Sequence, residues 1–419
     1  MSRPAAIVLD DLRQPRFTEE AAAVLAMMSE MGQSASLFPD VLTTSATEST
    51  GLYDFGPDDF APRLDLLCRS LRDEARLNSV GVLAQSQFLI GLLSSRLLVE
   101  NLLTVHPEIL KERIVAPIII CGLPRTGTTH LHNLMSADHA FRPLPYWESL
   151  EPVLADRDRP GDGEPDPRLA RTEMAVSFVN SVMPEFKRMH EMTVDHVHEE
   201  IQLLAIDIST MLFETIAPMP TWRDAYLGRD QRSSYAYLKK ILQALQWLRG
   251  GSRWVLKSPQ HLEQFSAISD VFPDATFVVT HRDPVSVTAS MVTMLAYSAR
   301  LGHDQVDLEW IGEYWSDRLE RMLRSCVEQR DLLPAAQTID VRFDEFMQDD
   351  LAIVRRIYAL AGQPFSGESD RAMTRFMDAN PRGRHGDVIY DLAQFGIDGD
   401  RLRRNFAFYT ERFGVAEER

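Results

Sequence analysis

The chain has 419 residues, of which 45% are hydrophobic, so it can bury a full core as one large domain or two ordinary ones, and wholesale disorder is excluded. Lysine and arginine number 44 against 61 aspartates and glutamates, a formal charge of −17, which argues against a general nucleic-acid binder. A local basic pocket can still hold an anion, because a diffuse negative field is screened within about 10 Å.

Acidic residues at 10, 11, 19 and 20 follow Met1-Ser2-Arg3-Pro4, which is not the pattern of a signal peptide. Residues 1–110 read as a helical extension. Apolar residues recur at helical spacing through 21–28, 64–71 and 80–103, while 32–51, rich in Ser, Thr and Pro, reads as a loop. The most apolar stretch, 80–105, is interrupted by Gln85, Gln87, Arg96, Glu100 and Asn101, so it predicts a buried helix rather than a membrane span. Cys68, Cys121 and Cys326 lie far apart, with neither metal spacing nor a disulfide framework, and fit a reducing compartment. A soluble, cytoplasmic protein without integral membrane association is the expectation.

The pattern changes near Ile114. Residues 116–121 are a short β-branched run of the kind buried on both faces, and 254–256, 276–280 and 338–341 repeat it with helical stretches between. Strands alternating with helices predict an α/β fold with a mainly parallel central sheet. A polar, proline-bearing loop at 156–167 precedes a largely helical block at 168–249. The block is too long for one crossover, and it reads as an insertion over the carboxyl edge of the sheet, where ligands bind.

The segment Gly122-Leu123-Pro124-Arg125-Thr126-Gly127-Thr128-Thr129 follows the first strand and opens a helix. Backbone N–H groups at a helix start are unpaired and carry partial positive charge. Glycine permits close approach, Arg125 adds a cationic fork, and the threonines add hydroxyl donors. The spacing imitates a Walker A loop, with Thr128 where the lysine belongs, which counts against ATP or GTP hydrolysis.

Arg125 to Thr129, a basic residue followed by Thr-Gly-Thr-Thr, resembles the 5′-phosphosulfate loop of sulfotransferases that use 3′-phosphoadenosine 5′-phosphosulfate (PAPS). Among these it is most similar to a bacterial branch whose loop begins Pro-Arg and to tyrosylprotein sulfotransferases. The resemblance, spanning roughly residues 114 to 415, implies a P-loop-like three-layer fold and a 5′-phosphosulfate site at Arg125, Thr126, Gly127, Thr128 and Thr129. It implies a 3′-phosphate site at Arg282, directly after the 276–280 strand, and at Ser290, eight positions on. His130 stands where cytosolic relatives carry an adenine-stacking tryptophan. Arg382 and Arg384, in Pro-Arg-Gly-Arg-His-Gly, loosely resemble a late closing segment over the nucleotide.

Sulfuryl transfer needs positive charge at the departing phosphate oxygen and a group to take the acceptor proton. Lys257, in Trp-Val-Leu-Lys-Ser-Pro-Gln-His-Leu, resembles the family lysine for the first task, and Arg125 shares it. For the base, Glu148 in Pro-Tyr-Trp-Glu resembles the glutamate of tyrosylprotein sulfotransferases, and His261 is the alternative. No metal motif is present. His196, His198, Glu199 and Glu200 read as a polar helix start or as the rim of an acceptor pocket. Met183, Met189, Met192, Met211 and Met219 are core filler or an adaptable apolar lining. The expected acceptor is an apolar small molecule carrying a hydroxyl, less readily an amine. The competing functions are a small-molecule kinase and a nucleotide-binding protein without catalysis.

Overall fold

The computed structural model describes residues 4–161, 163–251 and 253–418, so the reading of residues 1–3 lies outside the described residues. Helix α1 (Glu19–Gly32) starts where the Thr18 hydroxyl accepts the Ala21 N–H, and α2 (Pro39–Thr50) follows it. Next come α3 (Ala61–Asp73) and α4 (Ser79–Val105), the latter capped by the Asn78 side chain.

Helix α2 corrects the loop expected at 32–51. Its hydroxyls do not compete for the backbone from outside the helix: Thr43, Thr47, Ser49 and Thr50 donate back to carbonyls three or four residues earlier. Pro39 suits a first turn, Leu42 and Ala46 bury one face, and Gly51 closes the helix at φ 72°. Helix α4 packs against α1 and α2, and 56% of its most apolar window is buried. Its internal charge is partnered: Arg96 donates to Asp207 at 2.9 Å and to the carbonyls of Phe55 and Pro57.

The sheet has four parallel strands, β1 (Ile118–Cys121), β2 (Val255–Ser258), β3 (Thr276–His281) and β4 (Thr338–Arg342), in the order β2-β1-β3-β4. Ile118 and Ile120 face one layer, with Leu131 and Leu134 of α5 (Thr128–Ser136) and Ile353 and Ile357 of the helix Asp350–Leu360. Ile119 and Cys121 face the other, with Ile241, Leu242, Leu319 and Met322. This is the three-layer arrangement of the P-loop-like α/β fold. The core of the second face runs on without a break into α3 and α4 through Leu64, Leu67, Leu93 and Leu97.

From β1 the chain reaches β2 on one side, then crosses back to β3 on the other. A crevice therefore opens at the carboxyl ends of β1 and β3. Part of the 168–249 block hangs over it. That block is less helical than expected: between the helices Pro167–Val182 and Ile201–Ala205 lies irregular chain with one short 3-10 helix, Phe186–Arg188. Backbone bonds to the β1-side loop take the place of helical ones there, from Tyr146 N to His196 O at 2.9 Å and from His198 N to Leu144 O at 2.7 Å.

Candidate active site

A cavity of about 550 Å³ occupies the crevice. Arg125, Gly127, Thr128 and Thr129 enter from the β1–α5 turn, Arg282 from the end of β3, and Lys257 from β2. The turn is held tightly. A Cβ on Gly122 would stand 1.9 Å from Thr280 Oγ1, so only glycine fits the passage from strand to loop. Arg125 adopts φ 69° and Gly127 φ 81°, left-handed conformations of the kind that lets successive N–H groups face an anion. Thr126 is placed differently from Thr128 and Thr129. Its buried hydroxyl donates to Leu123 O at 2.7 Å and meets Thr280 Oγ1 at 2.8 Å, clipping the loop to β3 rather than lining the cavity.

The two anchors read from the sequence meet. Arg125 Nε donates to Ser290 Oγ at 2.9 Å, and Arg282 Nη1 donates to the Arg125 carbonyl at 2.5 Å. The helix Pro284–Ala299 places Ser290 there because Asp283 caps its first turn. The Arg282 guanidinium lies 4.0 Å from the centre of the Phe343 ring and is held by both oxygens of Glu418, each at 2.6 Å. Glu418, near the far end of the chain, was not singled out from sequence.

Lys257 is almost fully buried, and its Nζ pairs with Glu199 and lies 3.4 Å from Thr129 Oγ1. The two residues expected to compete as base do not line the cavity. Glu148 is completely buried, gripped by Arg142 through bonds of 2.8 and 2.9 Å and by Arg249 at 3.1 Å. A carboxylate satisfied by two guanidiniums is committed to holding the 142–148 turn against the helix Arg232–Arg249. His261 is also fully buried, with Nδ1 2.8 Å from Tyr235 Oη and Nε2 2.5 Å from Glu200 Oε1. Glu200 Oε2 accepts the backbone N–H of Lys257 at 2.7 Å. Burial pushes the Glu200 carboxyl up, but His261 and backbone donors outweigh it and hold the group below the usual carboxylate range.

His130 lines the cavity beside Phe346 and Phe376, with Nε2 2.8 Å from Asp350. Arg382 also lines it, and the same Asp350 pairs with its guanidinium. Arg384 does not line the cavity; it pairs with Glu191 beside His385. The other wall is apolar: Phe186, Ile201, Met211, Leu212, Met291 and Met294. Of the five methionines read from the insertion, Met211 reaches it; Met183, Met189 and Met219 are buried in the core. Met291 and Met294 come from the helix after β3, Pro284–Ala299.

His190, His196 and His198 form a row of rings, with neighbouring centres 5.4 and 5.8 Å apart. Burial and the positive charge of Lys257 lower all three below the ordinary histidine range, His196 to about 4. Burial likewise lowers His132, under the sheet, to about 3. Among the described residues no group of three or more His, Cys, Asp or Glu side chains is arranged to hold a metal ion. These neutral imidazoles carry a stability cost in acid. The unfolded chain protonates near the ordinary histidine pKa, whereas the native state resists until the lowered value. Stability is therefore expected to fall as pH drops from about 6.5 toward 4 at His196 and toward 3 at His132, by roughly 1.4 kcal/mol per unit for each. Melting temperatures across that window check this, and His196→Asn should flatten the slope.

Comparison with known proteins agrees with this geometry. A profile described as the sulfotransferase family matches residues 117–367, more than half of the chain. Omega-hydroxy-beta-dihydromenaquinone-9 sulfotransferase Stf3 of Mycobacterium bovis is 24% identical over 263 residues, 60% of this chain and 64% of that protein. The chain thus matches somewhat less than two thirds of that relative's length. The crystal structure of sulfotransferase STF1 from Mycobacterium tuberculosis H37Rv superposes with a TM-score of 0.77 at 30% identity, covering 88% of this chain and 98% of that one. STF9 from Mycobacterium avium superposes with a TM-score of 0.80 at 25% identity, covering 91% and 98%. With the glycine-tight strand-to-helix loop, the converging arginines and the buried lysine all lying within the matched span, the chain belongs to the sulfotransferase family.

Proposed function

We propose that this protein transfers a sulfuryl group from PAPS to the hydroxyl of a largely apolar small molecule. The observation that carries the reading is a single cavity with a cationic, hydroxyl-lined half and an apolar half, with Lys257 bridging from Thr129 on the first to Glu199 beside the second. The N–H groups of 127–129 and Arg125 suit the phosphosulfate, and Arg282 suits the 3′-phosphate, with Ser290 buried behind the cavity wall on Arg125 Nε. The Phe343, Phe346, Phe376 and His130 rings offer faces for the adenine. The PAPS-type donor is the one the family implies, and the Stf3 relative is named for an omega-hydroxy-beta-dihydromenaquinone-9, a hydroxyl-bearing acceptor of this kind.

Lys257 Nζ, 3.4 Å from Thr129 Oγ1 on the loop, supports a role in offsetting charge on the phosphate oxygen as the sulfur–oxygen bond breaks, and its burial would strengthen that interaction. A phosphate on Arg282 has to displace Glu418 first. Two measurements test the reading. The first is thermal melting with 3′,5′-adenosine bisphosphate and, separately, with ATP–Mg. A stabilisation by the bisphosphate of about 2.7 kcal/mol at a hundredfold excess over Kd, with none from ATP–Mg, is expected and separates the sulfotransferase from a kinase. The second is labelled sulfate moving from PAPS to apolar alcohols, which separates catalysis from mere binding.

A further inference from the structure

Neither Glu148 nor His261 reaches the cavity, which leaves the proton of the acceptor without a destination. Two neighbouring carboxylates divide the work around β2. Glu200 points inward, fixes the Lys257 backbone N–H at 2.7 Å, and is backed by His261 and Tyr235. Glu199 points the other way. Its side chain lines the cavity, is 18% exposed, and pairs with Lys257 Nζ. It is two residues from Ile201, on the wall that Met211 and Leu212 continue. The only other proton acceptors on that side of the cavity among the described residues are the imidazoles of His190 and His198.

We propose that Glu199 is the catalytic base for the acceptor hydroxyl and that its ion pair with Lys257 ties that role to the presence of donor. This rests on the PAPS-dependent reading above. In the free protein the ammonium neutralises Glu199. A seated donor brings a phosphate oxygen to Lys257 from the Thr129 side, drawing the ammonium toward it and leaving the carboxylate free. The acceptor oxygen then forms its bond to sulfur while its proton passes to a Glu199 oxygen. The bond from sulfur to the bridging phosphate oxygen breaks, and its electron pair stays on the 5′-phosphate of the departing bisphosphate, beside Lys257. The products are the sulfate ester, 3′,5′-adenosine bisphosphate and one proton on Glu199. Glu200, His261 and Tyr235 are positioning residues in this scheme: they hold the strand from which Lys257 reaches both partners.

The experiment compares wild type, Glu199→Gln, Glu199→Asp and His198→Asn with labelled PAPS and two acceptors. Farnesol is an aliphatic alcohol whose proton must be removed. 4-Nitrophenol, assayed at a pH where it is already ionised, has none to lose. Glu199→Gln is expected to lower kcat for farnesol at least about 100-fold and for 4-nitrophenol less than about 10-fold. Glu199→Asp should recover part of the farnesol rate, and the melting shift of Glu199→Gln with 3′,5′-adenosine bisphosphate should be no smaller than that of wild type, since the charge that competes for Lys257 is gone. The inference is overturned if Glu199→Gln keeps its farnesol rate, if it loses both acceptors equally, or if His198→Asn abolishes turnover while Glu199→Gln does not. Failure of wild type itself to label either acceptor, with no shift from the bisphosphate, would instead sink the PAPS reading.

Discussion

Lys257→Met is expected to lower kcat for sulfate transfer by about 10²–10³-fold while leaving the melting shift with 3′,5′-adenosine bisphosphate nearly intact. The reasoning begins with β2. Lys257 is paired in register with Ile120, so its side chain emerges beside the β1–α5 turn and reaches 3.4 Å from Thr129 Oγ1. An ammonium held there by Glu199 is nearly dry. It cannot be replaced by water when negative charge builds on the departing phosphate oxygen. Methionine keeps the length and the packing of the stem and removes only the charge. The ground-state nucleotide retains Arg125, Arg282 and the N–H groups of the loop, so binding should survive. A Lys257→Met protein that turns over at the wild-type rate would remove Lys257 from the reacting centre.

Arg282→Ala is expected to act in the opposite sense, on binding rather than on the chemical step. Truncating one member of a desolvated, hydrogen-bonded charge pair costs roughly 2–5 kcal/mol, or about 30- to 5000-fold in Kd. Isothermal titration with 3′,5′-adenosine bisphosphate reads this directly, and adenosine 5′-phosphate should be far less affected, since it lacks the 3′-phosphate. Glu418→Gln is the companion. It removes the carboxylate that grips Arg282, a contact partly open to solvent at 22% and 34% side-chain exposure. Such a pair is worth about 1 kcal/mol at most, so the bisphosphate should bind up to about fivefold more tightly. An Arg282→Ala protein that binds both nucleotides as wild type does would place the 3′-phosphate elsewhere.

Glu148 and Glu199 illustrate how far local pattern reaches. Glu148 stands in a family-like Pro-Tyr-Trp-Glu context, and nothing near it in sequence shows that it will be buried. Its partners are Arg142, six residues before, and Arg249, brought in by the long helix ahead of β2. Glu199 carries no local motif beyond a polar cluster. It reaches the cavity because the 194–198 segment is pinned to the 144–147 turn by backbone bonds that no spacing rule reports. The hydroxyl-rich α2 departs from its loop-like composition for a related reason: the buried pair Leu42 and Ala46 has meaning only once α4 is beside it.

The alternation of strand and helix, the four strand positions, the glycine-bearing strand-to-helix turn at 122–129 and the spacing of Arg282 to Ser290 were all legible in local sequence. These are properties of contiguous chain. Turn geometry, helix-start donors and strand burial act over a few residues and leave their mark in residue type. Tertiary structure decided which side chains share a cavity. It brought Arg125 to Ser290 and Glu199 to Lys257, set Glu418 on Arg282, and closed Glu148 and His261 away from the site. Such pairings depend on the crossing of β1, β2 and β3 and on which buried charges find partners. Those are long-range outcomes of packing, and a charged residue's own neighbours in the chain do not encode them.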